Sequence, residues 1–123
     1  MPELDKSWFL TIILVIMDSK RAFELLYAPQ VKQHLKAIEC RHYGLIRQEI
    51  EAQLRFEPDV ETRNRKPLKR VVTFGAEWEI RFGPNRRFRV FYEVDRDAGA
   101  VYILAIGVKV RDRLYIGGED IEL

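Results

Sequence analysis

Residues 78–92, W-E-I-R-F-G-P-N-R-R-F-R-V-F-Y, decide the fold of this 123-residue chain. Apolar side chains occupy every second position on both sides of the turn signal G-P-N. A period of two is typical of strands with one face against the core, so we predict two antiparallel strands joined at this turn. The intervening Arg81, Arg87 and Arg89 should then share the opposite, open face. The core-facing set is Trp78, Ile80, Phe82, Phe88, Val90 and Tyr92.

The sequence on either side completes a sheet covered by helices. Downstream, a turn at 95–99 precedes residues 101–108, which are nearly all apolar, as expected of a central strand buried on both faces. Upstream, a short strand at 23–27 precedes two apolar stripes with helical spacing, one starting after Pro29 and one ending before Pro58. The predicted class is α+β, in the order β-α-α-β-β-β, with a helical hairpin packed on one face of an antiparallel meander sheet.

The predicted domain spans residues 21–123, preceded by an extension, residues 1–20, whose role the sequence leaves open. The apolar run 8–17 is too short to cross a membrane, and its flanking residues do not fit a secretory signal. The run is either a strand or edge-covering segment of the domain, or an upstream extension ahead of an alternative start at Met17. Residues 117–123, which begin with two glycines, are expected to form a flexible acidic tail.

The composition excludes several classes of site. With 47% apolar and 33% charged residues, the chain can build a core. A single cysteine excludes an intrachain disulfide and a cysteine-rich zinc site, and two histidines are too few for most histidine-based metal sites. We therefore expect no metal and no cofactor, and a reducing, cytoplasmic setting.

The positive charge is concentrated in one segment. The net charge of the chain is +2, yet residues 63–89 carry nine basic and two acidic side chains. Residues 1–62 and 90–123 are both net negative. Such a concentration attracts phosphate-bearing polyanions. Together with the basic connection at 58–71, the strand arginines suggest a shallow positive groove on the uncovered side of the sheet; the alternative is a solvated charged face.

Four short motifs, in this order, resemble the RelE/ParE superfamily of toxins from toxin–antitoxin modules. They are R-K-P-L-K, W-E-I-R-F-G, R-F-R-V-F-Y-E-V-D and I-L-A-I-G-V-K, with a tyrosine eight residues after the last glycine. The resemblance covers roughly residues 22–116 and implies a fold of the microbial ribonuclease type. For the RelE branch, it implies metal-independent cleavage of messenger RNA on the ribosome by attack of a ribose 2′-hydroxyl on the phosphodiester.

The resemblance also implies which residues act. Lys66 and Lys69 match the basic stretch that approaches the RNA backbone, and Arg87 joins this RNA-binding set from the predicted open face. The residues carried over as catalytic are Arg81, Arg89, Lys109 and Tyr115.

The general base is open at this stage. Where the ribosome-dependent branch can place two lysines on the first meander strand, this sequence has Glu79 and Arg81. Arginine stays protonated in proteins and cannot act as a base. The candidates are Lys109, Tyr115 and Glu79, although Glu79 is equally well interpreted as an RNA-site residue that orients Arg81 or Arg89 through a salt bridge.

Two other functions remain compatible with the sequence. The ParE branch has the same fold but binds DNA gyrase without cleaving RNA, and a fold relative without activity is the third interpretation. Under either toxin interpretation, the resemblance implies a cognate antitoxin protein as partner.

Overall fold

The computed structural model describes residues 22–70 and 74–122, so the segment 1–20 and its apolar run lie outside the described residues. The described part contains two α-helices and seven strands, and the predicted α+β class is confirmed. The elements are β1 (Glu24–Tyr27), α1 (Val31–Lys36), α2 (Tyr43–Leu54), β2 (Arg65–Pro67), β3 (Trp78–Phe82), β4 (Phe88–Asp95), β5 (Ala100–Val110), β6 (Arg113–Ile116) and β7 (Glu119–Ile121).

All strands join one sheet, in which β5 is the central strand. The strands from β2 to β7 pair with their neighbours in sequence order, each antiparallel to the next. Strand β1 pairs with the first half of β5 and runs parallel to it, from Glu24 opposite Ala100 to Tyr27 opposite Ile103. Strand β6 pairs with the last part of the same β5 edge, from Gly107 onward. The predicted central strand over residues 101–108 is therefore confirmed, and it spans Ala100–Val110.

The helices cover the face of the sheet that the sequence pattern selects. The main apolar cluster lies between the helices and this face, where Ile50 and Leu54 of α2 are buried together with Ile80, Val90 and other strand residues. Each of the six predicted core-facing residues belongs to this cluster or packs against it. The predicted parity of the β3–β4 hairpin is confirmed for these residues.

The turn between β3 and β4 requires glycine at its first position. Gly83 has φ +80°, and a Cβ there would lie 2.6 Å from Cδ2 of Phe88. A left-handed backbone next to a buried aromatic ring leaves no room for a side chain. The G-P-N signal therefore fixes both the turn and the close approach of the backbone to the core.

The opposite face of the sheet is only partly open, which corrects the prediction of an uncovered side. The chain on either side of residues 71–73 packs over this face, and Phe74 meets Phe91 edge-on with ring centroids 5.3 Å apart. A second apolar cluster results, in which Ala105, Leu114 and Ile116 are buried. The face remains accessible at the end where β4 begins and β5 ends.

The C-terminal residues also differ from the prediction. Instead of a flexible tail, residues 119–121 form β7, which pairs antiparallel with β6 and places Ile121 opposite Leu114. Gly117 and Gly118, at φ +62° and +82°, supply the left-handed turn between the two strands. The apolar contact of Ile121 with the second cluster explains why this short strand is held.

No helix within residues 22–70 and 74–122 is both long and apolar enough to cross a membrane.

Substitution Tyr92→Phe tests the packing of the connection after α2. The buried Tyr92 hydroxyl donates to the carbonyl of Pro58 at 2.6 Å, and burial raises the pKa of Tyr92, so the hydroxyl stays neutral. Its loss leaves a buried carbonyl unpaired, and we expect the free energy of unfolding to fall by roughly 1–2 kcal/mol. Urea unfolding measures this change, with Tyr102→Phe on β5 as the control. Equal stability of Tyr92→Phe and wild type would contradict the assignment.

Substitution His34→Asn tests the link between α1 and β5. Nδ1 of His34 accepts a hydrogen bond from the Ile106 amide at 3.3 Å, and burial lowers the pKa of His34. Because the unfolded state then binds more protons, stability is complete above about pH 6.5 and falls as the pH drops below it. An asparagine oxygen can accept the same bond without titrating, so His34→Asn should flatten this decline.

Thermal unfolding between pH 7.5 and 5.5 (roughly one unit on either side of the ordinary histidine pKa) measures the effect. The neighbouring Gln33→Asn serves as control. A pH dependence of His34→Asn identical to that of wild type would show that His34 is not the linked group.

Candidate functional site

A buried carboxylate organises the charged end of the sheet. Glu79 on β3 is 2% exposed, and its Oε1 accepts a hydrogen bond from Arg81 Nε at 2.6 Å. Its Oε2 lies 3.4 Å from Nη1 of Arg89, which stands opposite Arg81 in the β3–β4 register. One carboxylate therefore holds two arginines of neighbouring strands side by side.

Arg89 is the most deeply placed cation of this group. Its side chain is 9% exposed, and its Nε donates to the carbonyl of Arg86 at 3.0 Å. Burial lowers the pKa of Arg89 from its usual value, while the Glu79 carboxylate acts to raise it. An arginine remains protonated even so. Because a buried cation is costly without a partner, Glu79 and the Arg86 carbonyl are what make this position possible.

Four of the predicted cationic residues lie on the same face of the sheet as Glu79. Lys66 stands opposite Glu79 in the β2–β3 register, and so faces the same way as Arg81 and Arg89. Lys109 lies two residues beyond Gly107, the β5 residue opposite Arg89. We call the resulting row the cation band, which comprises Lys66, Arg81, Arg89 and Lys109.

Lys69 follows β2, is exposed, and lies beyond the strand that places Lys66. Lys66 itself is 3.8 Å from the Glu61 carboxylate. Because both side chains are about half exposed to solvent, this ion pair contributes little to stability, and Lys66 remains available to a ligand.

Arg87 departs from its predicted position on the open face. The turn Pro84–Arg86 has left-handed backbone at Asn85 and Arg86, so strand alternation begins only at Phe88. Nη2 of Arg87 lies 2.8 Å from Nε2 of His42, on the helix side. Since guanidinium can only donate, this histidine nitrogen accepts the bond.

Tyr115 is not brought together with Arg89. It stands opposite Val108 in the β5–β6 register, so it faces the helix side, whereas the neighbouring Leu114 and Ile116 face the second cluster. There Tyr115 lines a cavity of about 260 Å³ together with His34 of α1. The tyrosine and the cation band therefore occupy opposite faces of the sheet.

Two grooves meet at Arg89 and Lys109. The first, which we call the basic groove, has a volume of about 510 Å³ and is bordered by the turn after β3 and the turn after β5. It contains four cationic side chains and an apolar part, and no carboxylate lines it. Its residues are Asn85, Arg87, Arg89, Val108, Lys109, Val110 and Arg111.

The second, which we call the mixed-charge groove, has a volume of about 550 Å³ and lies against the C-terminal hairpin. Its three cations are matched by three carboxylates, and Arg113 is paired with Asp120. Its residues are Arg89, Lys109, Asp112, Arg113, Leu114, Asp120, Ile121 and Glu122.

Sequence reasoning missed two groups of groove residues. Asn85 appeared only as part of a turn, and Arg111 appeared only as one more cation after the central strand. Asp120 and Glu122 were predicted only as part of an acidic tail, and Asp112 was not singled out. The available signal was the density of arginine and aspartate in residues 109–113, K-V-R-D-R, immediately after the central strand.

Comparisons with known proteins bear on the fold. Neither a scan against models of protein families nor a search of curated proteins returned a match. Among solved structures, the chain is similar to one in the toxin–antitoxin complex RelBE2 from Mycobacterium tuberculosis, with a TM-score of 0.56 and 19% sequence identity. The similarity covers 72% of this chain and 93% of that chain. It shows a shared fold, the sheet with a helical hairpin predicted from the sequence.

Proposed function

We propose that this protein is the toxin component of a toxin–antitoxin module and acts as a metal-independent endoribonuclease on messenger RNA. The observation that carries the proposal is the cation band, which sets Arg81, Arg89 and Lys109 on one accessible end of the sheet. The fold shared with a chain of a toxin–antitoxin complex supports the toxin part of this proposal. From that similarity we infer a cognate antitoxin protein as partner, and from the resemblance of the sequence motifs to the RelE branch we propose the ribosome as the place of action.

The proposed reaction is attack of a ribose 2′-oxygen on the adjacent phosphorus. The bond from phosphorus to the 5′-oxygen breaks, and the products are a 2′,3′-cyclic phosphate and a 5′-hydroxyl. Negative charge grows on the non-bridging oxygens, and preorganised cations stabilise it. Arg89 is suited to this role because Nε and Nη1 are held by the Arg86 carbonyl and Glu79, which leaves Nη2 to a phosphate.

Proton transfer is assigned to Lys109, whose ammonium gives a proton to the departing 5′-oxygen and whose amine takes up the proton released by the attacking 2′-hydroxyl, so that one proton passes from the 2′-oxygen to the 5′-oxygen. Both oxygens of Glu79 already accept contacts from arginines, and Tyr115 lies on the opposite face. Arginine does not release its proton, so Lys109 is the cation of the band next to Arg89 that can exchange one. Glu79 is then a positioning residue, which fixes Arg81 and Arg89 against the incoming phosphate.

Substitution Arg89→Ala tests the ribonuclease function in cells. Tightly controlled expression of the wild-type protein should arrest growth and produce new 5′ ends within translated messenger RNA, mapped by primer extension. Loss of one donor to the developing charge typically costs about 10²–10³ in rate, so Arg89→Ala should abolish both effects. Arg47→Ala, which removes an exposed arginine of α2, is the matched control and should behave as wild type.

Circular dichroism of both purified variants establishes that they are folded. Growth arrest without new RNA ends would contradict cleavage and favour the gyrase-binding alternative. Absence of arrest with the wild-type protein would contradict the toxin assignment.

Substitution Glu79→Gln tests the positioning role. Removing one partner of a buried ion pair leaves an uncompensated charge on Arg89, and we expect a loss of about 3 kcal/mol in the free energy of unfolding. The double variant Glu79→Gln with Arg89→Gln should recover part of that loss, because the buried cation is also removed. Chemical unfolding of the two single variants and the double variant gives the coupling. Additive losses would show that Glu79 does not hold Arg89.

A further inference from the structure

Strained backbone is concentrated around the basic groove. In the described residues, the non-glycine positions with left-handed backbone are Asn85 at φ 55°, Arg86 at φ 51° and Arg111 at φ 57°. Asn85 and Arg111 line the basic groove, and Arg86 lies between two of its residues. Left-handed backbone is costly for residues with a side chain and tends to persist where function requires it.

The two strained turns are held against each other. The Lys109 amide donates to the carbonyl of Arg87 at 2.6 Å, which joins the end of β5 to the start of β4. Arg89 on β4 and Arg111 in the turn after β5 thereby line the same groove. Arg87 itself is turned to the helix side, where its Nη2 contacts His42, so its guanidinium is not counted among the donors to a ligand in this groove.

The charge of the two grooves differs in a way that selects a path for a polyanion. The basic groove offers cations without a carboxylate, whereas the mixed-charge groove opposes every cation with an acid. A phosphate in the second groove would meet the carboxylates of Asp112 and Glu122, whose like charge repels it. The basic groove also exposes Val110, which is 53% accessible and can pack against a ribose or base.

We propose that the backbone of single-stranded RNA runs through the basic groove, with Arg111 binding a phosphate next to the one held by Arg89 and Lys109. The carboxylates of the C-terminal hairpin, Asp112 above all, keep the strand out of the mixed-charge groove. This inference rests on the proposed function, because it takes the cation band as an RNA site. It adds Arg111 and Asp112 as residues that determine the path of the strand.

Two arginines of one turn provide a matched test. Arg111 lines the basic groove and Arg113 the mixed-charge groove, and both are exposed. Binding of a short, fluorescein-labelled single-stranded RNA of mixed sequence is measured by anisotropy over a range of salt concentrations. Arg111→Gln should weaken binding roughly fivefold and lower the salt slope by about 0.7, the value for one phosphate contact on a single strand. Arg113→Gln should change affinity less than about twofold, as expected for a cation outside the path.

The acidic side is tested with the opposite change. Asp112→Asn should raise RNA affinity roughly threefold, because a repulsive charge next to Lys109 disappears. Asp97→Asn, an equal charge change in the turn between β4 and β5, controls for the net charge of the protein and should have little effect. Equal effects of Asp112→Asn and Asp97→Asn would overturn the role of the hairpin.

The outcomes separate the two proposals. If wild type binds RNA and the two arginine variants lose affinity equally, the path through the basic groove is wrong while the RNA site stands. If neither wild type nor Asp112→Asn binds RNA at low salt, the path through the basic groove is wrong, whereas the proposed function fails only if the expressed protein produces no new RNA ends in cells.

Discussion

The structure depends on the pairing of β5 with three strands. One edge of β5 is occupied by β4 along its length, and the other edge is divided between β1 and β6. Because β1 and β2 lie on opposite sides of β5, the chain must cross the sheet between them, and the helical hairpin makes that crossing. The same division leaves the last residues of β5 free to pair with β6 and to bring Lys109 beside Arg89. The fold and the candidate site thus follow from one strand.

The charged end of the sheet is stabilised by contacts between buried groups of opposite charge rather than by contact of those groups with solvent. Glu79 and Arg89 are both buried, and each would be costly alone. Their contact offsets the cost of burying each charge. Together with the contacts to Arg81 and to the Arg86 carbonyl, it holds the two guanidinium groups in a rigid arrangement. In the proposed reaction, such a group would lose little conformational freedom on binding a phosphate, which is the condition for effective electrostatic stabilisation.

Much of the fold could be predicted because period-two and helical patterns are local. The alternation around Gly83 assigned the core face of β3 and β4, and the apolar run after residue 100 identified the central strand. Alternation also placed Arg81 and Arg89 on one face, yet it failed for Arg87, because the left-handed turn at Asn85 and Arg86 interrupts the strand geometry. The resemblance to the RelE/ParE superfamily implied a catalytic role for Tyr115, but the register of the β5–β6 hairpin puts this residue on the other face.

By itself, the sequence determined the α+β class, the core face of the hairpin and the concentration of basic residues in one segment, because each depends on neighbours along the chain. Only the tertiary structure decided which cations meet, how Glu79 is buried between two arginines, and that an acidic hairpin borders the site. Those features arise from strand register and from contacts between distant segments, which a one-residue shift would reverse. Local patterns carry no information on such a shift, so the division of charge between the two grooves became visible only in the folded chain.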